Sequence, residues 1–126
     1  KIEKIIETEK ADIKAMRMLG ILKEKKLCEN SYYKEFYSEL TDILREYFEQ
    51  TLNIQTFERT SDELLQDIAL TGKVSNAVIQ NVKEILTKSD LVKFAKYTPL
   101  IQDSALHYGL ALFCVQECSK INTQHD

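Results

Sequence analysis

Apolar residues recur at three- and four-residue steps along most of this chain, broken by short polar stretches, which is the period of amphipathic helices. From about Asp12 to Leu27, Ala15, Leu19 and Leu22 follow i, i+4, i+7 spacing, with Met16 and Met18 beside the stripe. Asp12 serves as N-cap, and Lys23, Lys25 and Lys26 fall in the last turn, where cations suit the helix dipole. Gly20 inside this pattern costs about 1 kcal/mol relative to Ala, so it marks close approach of another helix. The next segment is the most regular. Tyr33, Phe36, Tyr37, Leu40, Ile43, Leu44, Tyr47 and Phe48 form one face, and charged residues from Lys34 to Glu49 fill the other. Asn30 or Ser31 caps its start and Asn53 closes it, giving a rod of roughly 30 Å that serves as the central helix.

Beyond an apolar connector of Leu52, Ile54 and Phe57, Thr60-Ser61-Asp62-Glu63 spells a capping box. It opens a short helix with Leu64, Leu65 and Ile68 buried, which stops at Gly72; Phe57 packs near the cap. A further helix spans about Asn76 to Tyr97, with Val78, Val82, Ile85, Leu86, Leu91, Phe94 and Ala95 inward and Ser89-Asp90 either kinking or restarting it. Thr98-Pro99 ends it, because the residue before Pro is pushed out of the α region. The last helix runs from about Ile101 to Lys120 and carries no formal charge between Asp103 and Glu117. Such a helix is either innermost or a surface that docks a partner.

The 126 residues, 44% apolar and 29% charged, make one ordinary globular domain. Three Gly and one Pro are too few for the turns of a β-sandwich or barrel. The fold class is therefore all-α, a single-domain bundle of about five helices over residues 12–121, with 1–11 a linker or frayed helix and 122–126 a disordered tail. No stretch reaches 18 apolar residues, and the chain opens at Lys1 without Met, as expected of a piece of something longer. A net charge of −3, with bases and acids interleaved, opposes nucleic-acid binding. Three Cys, an odd number, read as free thiols in a reducing cytosol.

Candidate chemistry is sparse. His107, Cys114 and Cys118 share one helical face, but they spread over about 16 Å of helix rise, beyond the reach of one zinc ion. Buried Cys is by composition a small hydrophobe. A thiol of Cys114 or Cys118 meeting His125 would make a nucleophile pair, yet no glycine loop or helix-opening elbow holds one in place. No GxGxxG, GxxxxGK[ST] or HExxH motif is present. The expectation is no catalytic residue, no metal and no cofactor. Tyr32, Tyr33, Tyr37 and Tyr47 on the central helix serve packing or its boundary.

Three blocks carry a family resemblance: Phe36 to Tyr47 (FYSELTDILREY), Thr60 to Leu64 (TSDEL) and Asp90 to Tyr97 (DLVKFAKY). In this order and approximate spacing they resemble the helical cytosolic region after the last transmembrane segment of BatD-like proteins, bacterial membrane proteins of the Bat aerotolerance operons. The likeness covers roughly residues 12 to 120, and none of its blocks is a catalytic motif. It implies a domain on the cytoplasmic side of a bacterial inner membrane, tethered through a segment before Lys1. The implied partners are MoxR-type AAA+ ATPases and von Willebrand A-domain proteins. The apolar last helix, with Gly109, Cys114 and Cys118, departs from the charged final helix of that family.

Lys93, Lys96 and Tyr97 are exposed by period, sit near a helix end and are not needed for packing. They are the candidate partner-binding residues, for protein or lipid headgroup, with plain solvation the alternative for the two lysines. The expected function is a non-enzymatic protein-interaction domain whose partner surface is a groove or apolar patch beside the last helix. The alternative is a helical nucleic-acid-binding domain, with the Thr60 helix and the next imitating helix-turn-helix. Against it, Asn76 to Thr87 carries only Lys83, beside Glu84.

Overall fold

The computed structural model describes residues 9–124 in backbone and 9–120 in side chains. Five α-helices follow in order: α1 (Ala11–Glu24), α2 (Tyr33–Leu52), α3 (Ser61–Thr71), α4 (Asn76–Phe94) and α5 (Ile101–Gln124), with a 3₁₀ turn at Cys28–Asn30. No strand occurs among the described residues, and the chain is an all-α bundle. Most of the linker expected over 1–11 lies outside the described residues, as does His125. The tail expected from residue 122 is helical as far as Gln124.

Helix α2 packs against each of the other four helices. Tyr37, Leu40, Leu44, Tyr47 and Phe48 are almost completely withdrawn from solvent on it, so its i, i+3, i+4 stripe is the axis of the core. Asn53 closes it in the left-handed conformation, φ 58°, which Asn tolerates. Its start differs from expectation. Tyr32 is the N-cap residue without a side-chain cap, because Ser31 is itself left-handed at the end of the 3₁₀ turn and Asn30 donates back to the Lys26 carbonyl at 2.9 Å.

Helix α1 buries Ala15, Leu19 and Leu22 as its spacing requires. Asp12 lies inside its first turn rather than at the cap, which Lys10 occupies without a side-chain bond. The helix ends at Glu24, leaving Lys23 in the last turn and Lys25 and Lys26 beyond it. Gly20 faces open space, and a Cβ there would meet nothing within 4 Å, so it marks no close helix approach.

The connector from α2 to α3 is clamped by side chains of α2 itself. Arg45 donates to the carbonyls of Thr56 and Arg59, the Thr56 hydroxyl donates back to the Arg45 carbonyl at 2.8 Å, and Glu49 accepts from the Thr56 amide at 3.0 Å. Thr56 is thereby buried with its polar groups satisfied, whereas Phe57 turns outward and does not pack at the cap. The capping box forms as written: Thr60 Oγ1 accepts from the Glu63 amide at 3.2 Å and Glu63 accepts from the Thr60 amide at 2.9 Å. Gly72, at φ 68°, ends α3.

Helix α4 runs unbroken through Ser89 and Asp90. Its buried stripe is Val78, Val82, Ile85, Leu86, Ser89 and Val92. Leu91, Phe94 and Ala95, expected in the core, are exposed. The reason is rotational: Leu91 lies two residues past Ser89 and Phe94 two past Val92, a turn of about 200° that carries each to the far side. Helix α5 is peripheral rather than innermost. Ser104, His107, Ala111, Cys114, Val115 and Cys118 face the core, while Leu106, Gly109 and Phe113 face out.

Candidate interaction surface

The α4–α5 corner gathers several exposed apolar side chains near a cluster of lysines. Helix α4 stops because Ala95 leaves the α region and Lys96 turns left-handed at φ 55°. The amides of Ala95 and Tyr97 both donate to the Leu91 carbonyl, at 3.0 and 3.2 Å, folding the chain back on the helix end. Thr98 leads to Pro99, which is buried and pins the turn. The Leu100 amide donates to Asp103 at 3.2 Å, starting α5.

This route leaves Leu91 (39%), Phe94 (77%), Tyr97 and Leu100 (60%) open to solvent within ten residues, with Ile101 beside them. Lysines border them. Lys88 Nζ lies 4.7 Å from the Tyr97 ring centroid and 3.5 Å from its hydroxyl, and Lys93 Nζ lies 5.7 Å from the Phe94 ring. Lys88, Lys93 and Lys96 enter no ion pair among the described residues. The corner is thus apolar and carries three lysines against Asp90 and Asp103, a small net positive charge.

Lys93, Lys96 and Tyr97, the residues singled out from the sequence, all lie here. Lys93 is half-buried rather than exposed. Lys88, Leu91, Phe94 and Leu100 belong to the same surface and were missed. The signal for Leu91 and Phe94 was present in the phase of the upstream stripe, which places them opposite Val78 to Ser89.

Tyr37 and His107 are engaged in structural contacts in the interior, whereas the buried Ser89 hydroxyl has no hydrogen-bond partner among the described residues. The Tyr37 hydroxyl donates to His107 Nδ1 at 2.8 Å, and His107 Nε2–H donates to Glu84 at 3.2 Å; in the neutral ring these partners fix the tautomer. Both ring nitrogens of this buried His are therefore occupied. Burial pushes the Cys114 thiol up to about 12, with the neighbouring Cys118 adding to the rise, and the Cys118 thiol up to about 11, where Tyr47 opposes the rise and Glu117 adds to it. Burial also raises Cys28, with the neighbouring Ser104 acting in the opposite sense. Such thiols are protonated at neutral pH and are poor nucleophiles. Among the described residues no group of three His, Cys, Asp or Glu side chains is placed to share a metal ion. Nor is any described helix long and apolar enough to cross a membrane.

No protein-family model, curated protein or solved structure matches this chain.

Proposed function

We propose that this chain is a non-enzymatic protein-interaction domain that binds its partner through the α4–α5 corner. The observation that carries the reading is Phe94, 77% exposed, in one segment with Leu91, Tyr97 and Leu100 and with three lysines that enter no ion pair among the described residues. Large apolar side chains kept in water at one place mark contact surfaces, and aromatic residues supply much of the energy at such contacts. The lysines add preference for a partner with a negatively charged rim and speed the encounter. Protonated thiols and an engaged His107 support a reading without nucleophilic chemistry.

On the resemblance of its three blocks, we further propose that the domain is the cytosolic region of a BatD-like protein. It would then be tethered at the bacterial inner membrane and engage a MoxR-type ATPase or a von Willebrand A-domain protein. Of the matching blocks, Phe36 to Tyr47 supplies the core and Thr60 to Leu64 the cap, so only Asp90 to Tyr97 presents a surface. The test is co-elution and calorimetric titration with each protein, using the wild-type chain and the Phe94→Ser and Leu100→Ser variants. Binding tighter than about 10 μM that weakens at least about tenfold in both variants supports the reading. No binding to either protein, or binding indifferent to both substitutions, contradicts it.

A further inference from the structure

A groove of about 430 Å³ lies at the opposite end of α1 from its start, between the 3₁₀ turn, the first turn of α2 and the first two turns of α5. Its floor is formed by the buried residues Leu22, Cys28, Phe36 and Ser104. One wall is Tyr108, held in place by its hydroxyl, which donates to the Leu19 carbonyl at 2.7 Å. That bond ties α5 to α1 across the groove, so the cleft is a built feature of the packing. Volumes of this size, mostly apolar with a few polar groups, are typical of small-molecule sites.

The polar groups at the mouth define the ligand. Lys23 and Lys26 are exposed on the rim and form no ion pair among the described residues, in contrast to Lys25 between them, which pairs with Glu39 at 2.6 Å. Lys23 Nζ also lies over the Tyr108 ring, 5.9 Å from its centroid. Glu29 shares the rim, leaving one net positive charge. The floor offers no charged group: the Cys28 thiol is kept protonated by burial, and the Ser104 hydroxyl is already committed to the Ile101 carbonyl at 2.7 Å.

We infer that this groove binds a monoanionic aliphatic ligand, a fatty-acid carboxylate, with its chain along Leu22, Phe36 and Ala105 and its carboxylate between Lys23 and Lys26. The chain displaces water from an apolar floor, and the lysines pair with the carboxylate, whereas they gain nothing from a neutral head group and repel a cationic one. The groove adjoins the α4–α5 corner at Ile101, but Leu91, Phe94, Tyr97 and Leu100 do not line it, so variants of different residues test the two readings separately.

The experiment titrates the ¹⁵N-labelled chain with sodium dodecanoate, dodecanol and dodecylammonium, each kept below micelle formation, and follows the amide resonances. Saturable one-to-one shifts centred on Leu27, Cys28, Ser104 and Ala105 with dodecanoate are expected, with dodecylammonium weaker by at least about tenfold. Ala105→Trp places a large ring in the mouth at an exposed position and abolishes the shifts. Lys23→Glu with Lys26→Glu reduces dodecanoate affinity about tenfold and leaves dodecanol unchanged. Absence of saturable shifts up to about 1 mM, equal binding of the cationic amphiphile, or unchanged binding in Ala105→Trp would overturn the inference.

Discussion

The hydroxyl of Tyr37 and Nδ1 of His107, 70 residues apart in the chain, meet at 2.8 Å in the interior and join the central helix to the last one. Their rings also pack edge-on, 5.7 Å between centroids, and the far side of the imidazole reaches Glu84 of α4. Three helices are thus fastened through one side chain that is 1% exposed. Breaking one partner strands the other, which costs more than the bond itself contributes.

His107→Leu is expected to lower the unfolding free energy by about 2–3 kcal/mol and Tyr37→Phe by about 1–3 kcal/mol, each leaving a buried polar atom unpaired. Together they should cost less than the sum by about 1 kcal/mol, because the double variant removes both polar groups. Urea denaturation of the four proteins measures this cycle. Strict additivity would show that the pair does not interact.

The three thiols are expected to react slowly with iodoacetamide at neutral pH in the folded chain and rapidly after unfolding in urea. Their raised folded values also set an alkaline limit. Between the ordinary thiol value of 9.0 and the folded values of about 11 for Cys118 and about 12 for Cys114, the unfolded chain has lost protons that the folded chain keeps. Stability is therefore fully present below pH 9.0 and falls as pH rises through that window. The buried phenols of Tyr37 and Tyr47, also raised by burial, act in the same direction. Thermal melts across alkaline pH check the sign; a stability that rises above pH 9.0 would refute it.

The rotation of α4 is tested by a pair of truncations. Leu86→Ala removes a core side chain and should cost about 2–5 kcal/mol, whereas Phe94→Ala should stay within about 0.5 kcal/mol of wild type despite deleting a larger group. Equal costs would mean that Phe94 is packed.

How far the sequence could be read follows from the range of each interaction. Thr60 and Glu63 are three residues apart and complete their bonds within one turn, so the cap was legible from four letters. The α2 core was legible because Tyr37 to Phe48 repeats its period for three turns without conflict. At the end of α4 the pattern is ambiguous: Leu91, Val92 and Phe94 are all apolar, and a serine occupies the core position just before them. Reading Leu91 and Phe94 as one stripe gives the wrong face, since the phase is set upstream by Val78 to Leu86. The Phe57 expectation failed similarly, because Arg45 and Glu49 hold the connector by its backbone and leave the ring outside. Tyr37 with His107, and Cys28 with Ser104, depend on packing between distant segments and leave no local signal.

Ser89 gives a further test of that core position. Its hydroxyl is buried and has no hydrogen-bond partner among the described residues. Ser89→Ala removes an unsatisfied group and raises helix propensity, so it should stabilise the domain by about 1 kcal/mol. A loss of stability in urea denaturation would indicate that the hydroxyl is bonded in solution.

The central claim is that the outward-turned end of α4 and the start of α5 form the contact surface. Amide hydrogen exchange, measured with and without the MoxR-type ATPase or the A-domain protein, tests it most directly. The account predicts added protection concentrated between Lys88 and Ile101, with the far faces of α1 and α3 unchanged. Protection elsewhere with none at this corner would contradict it.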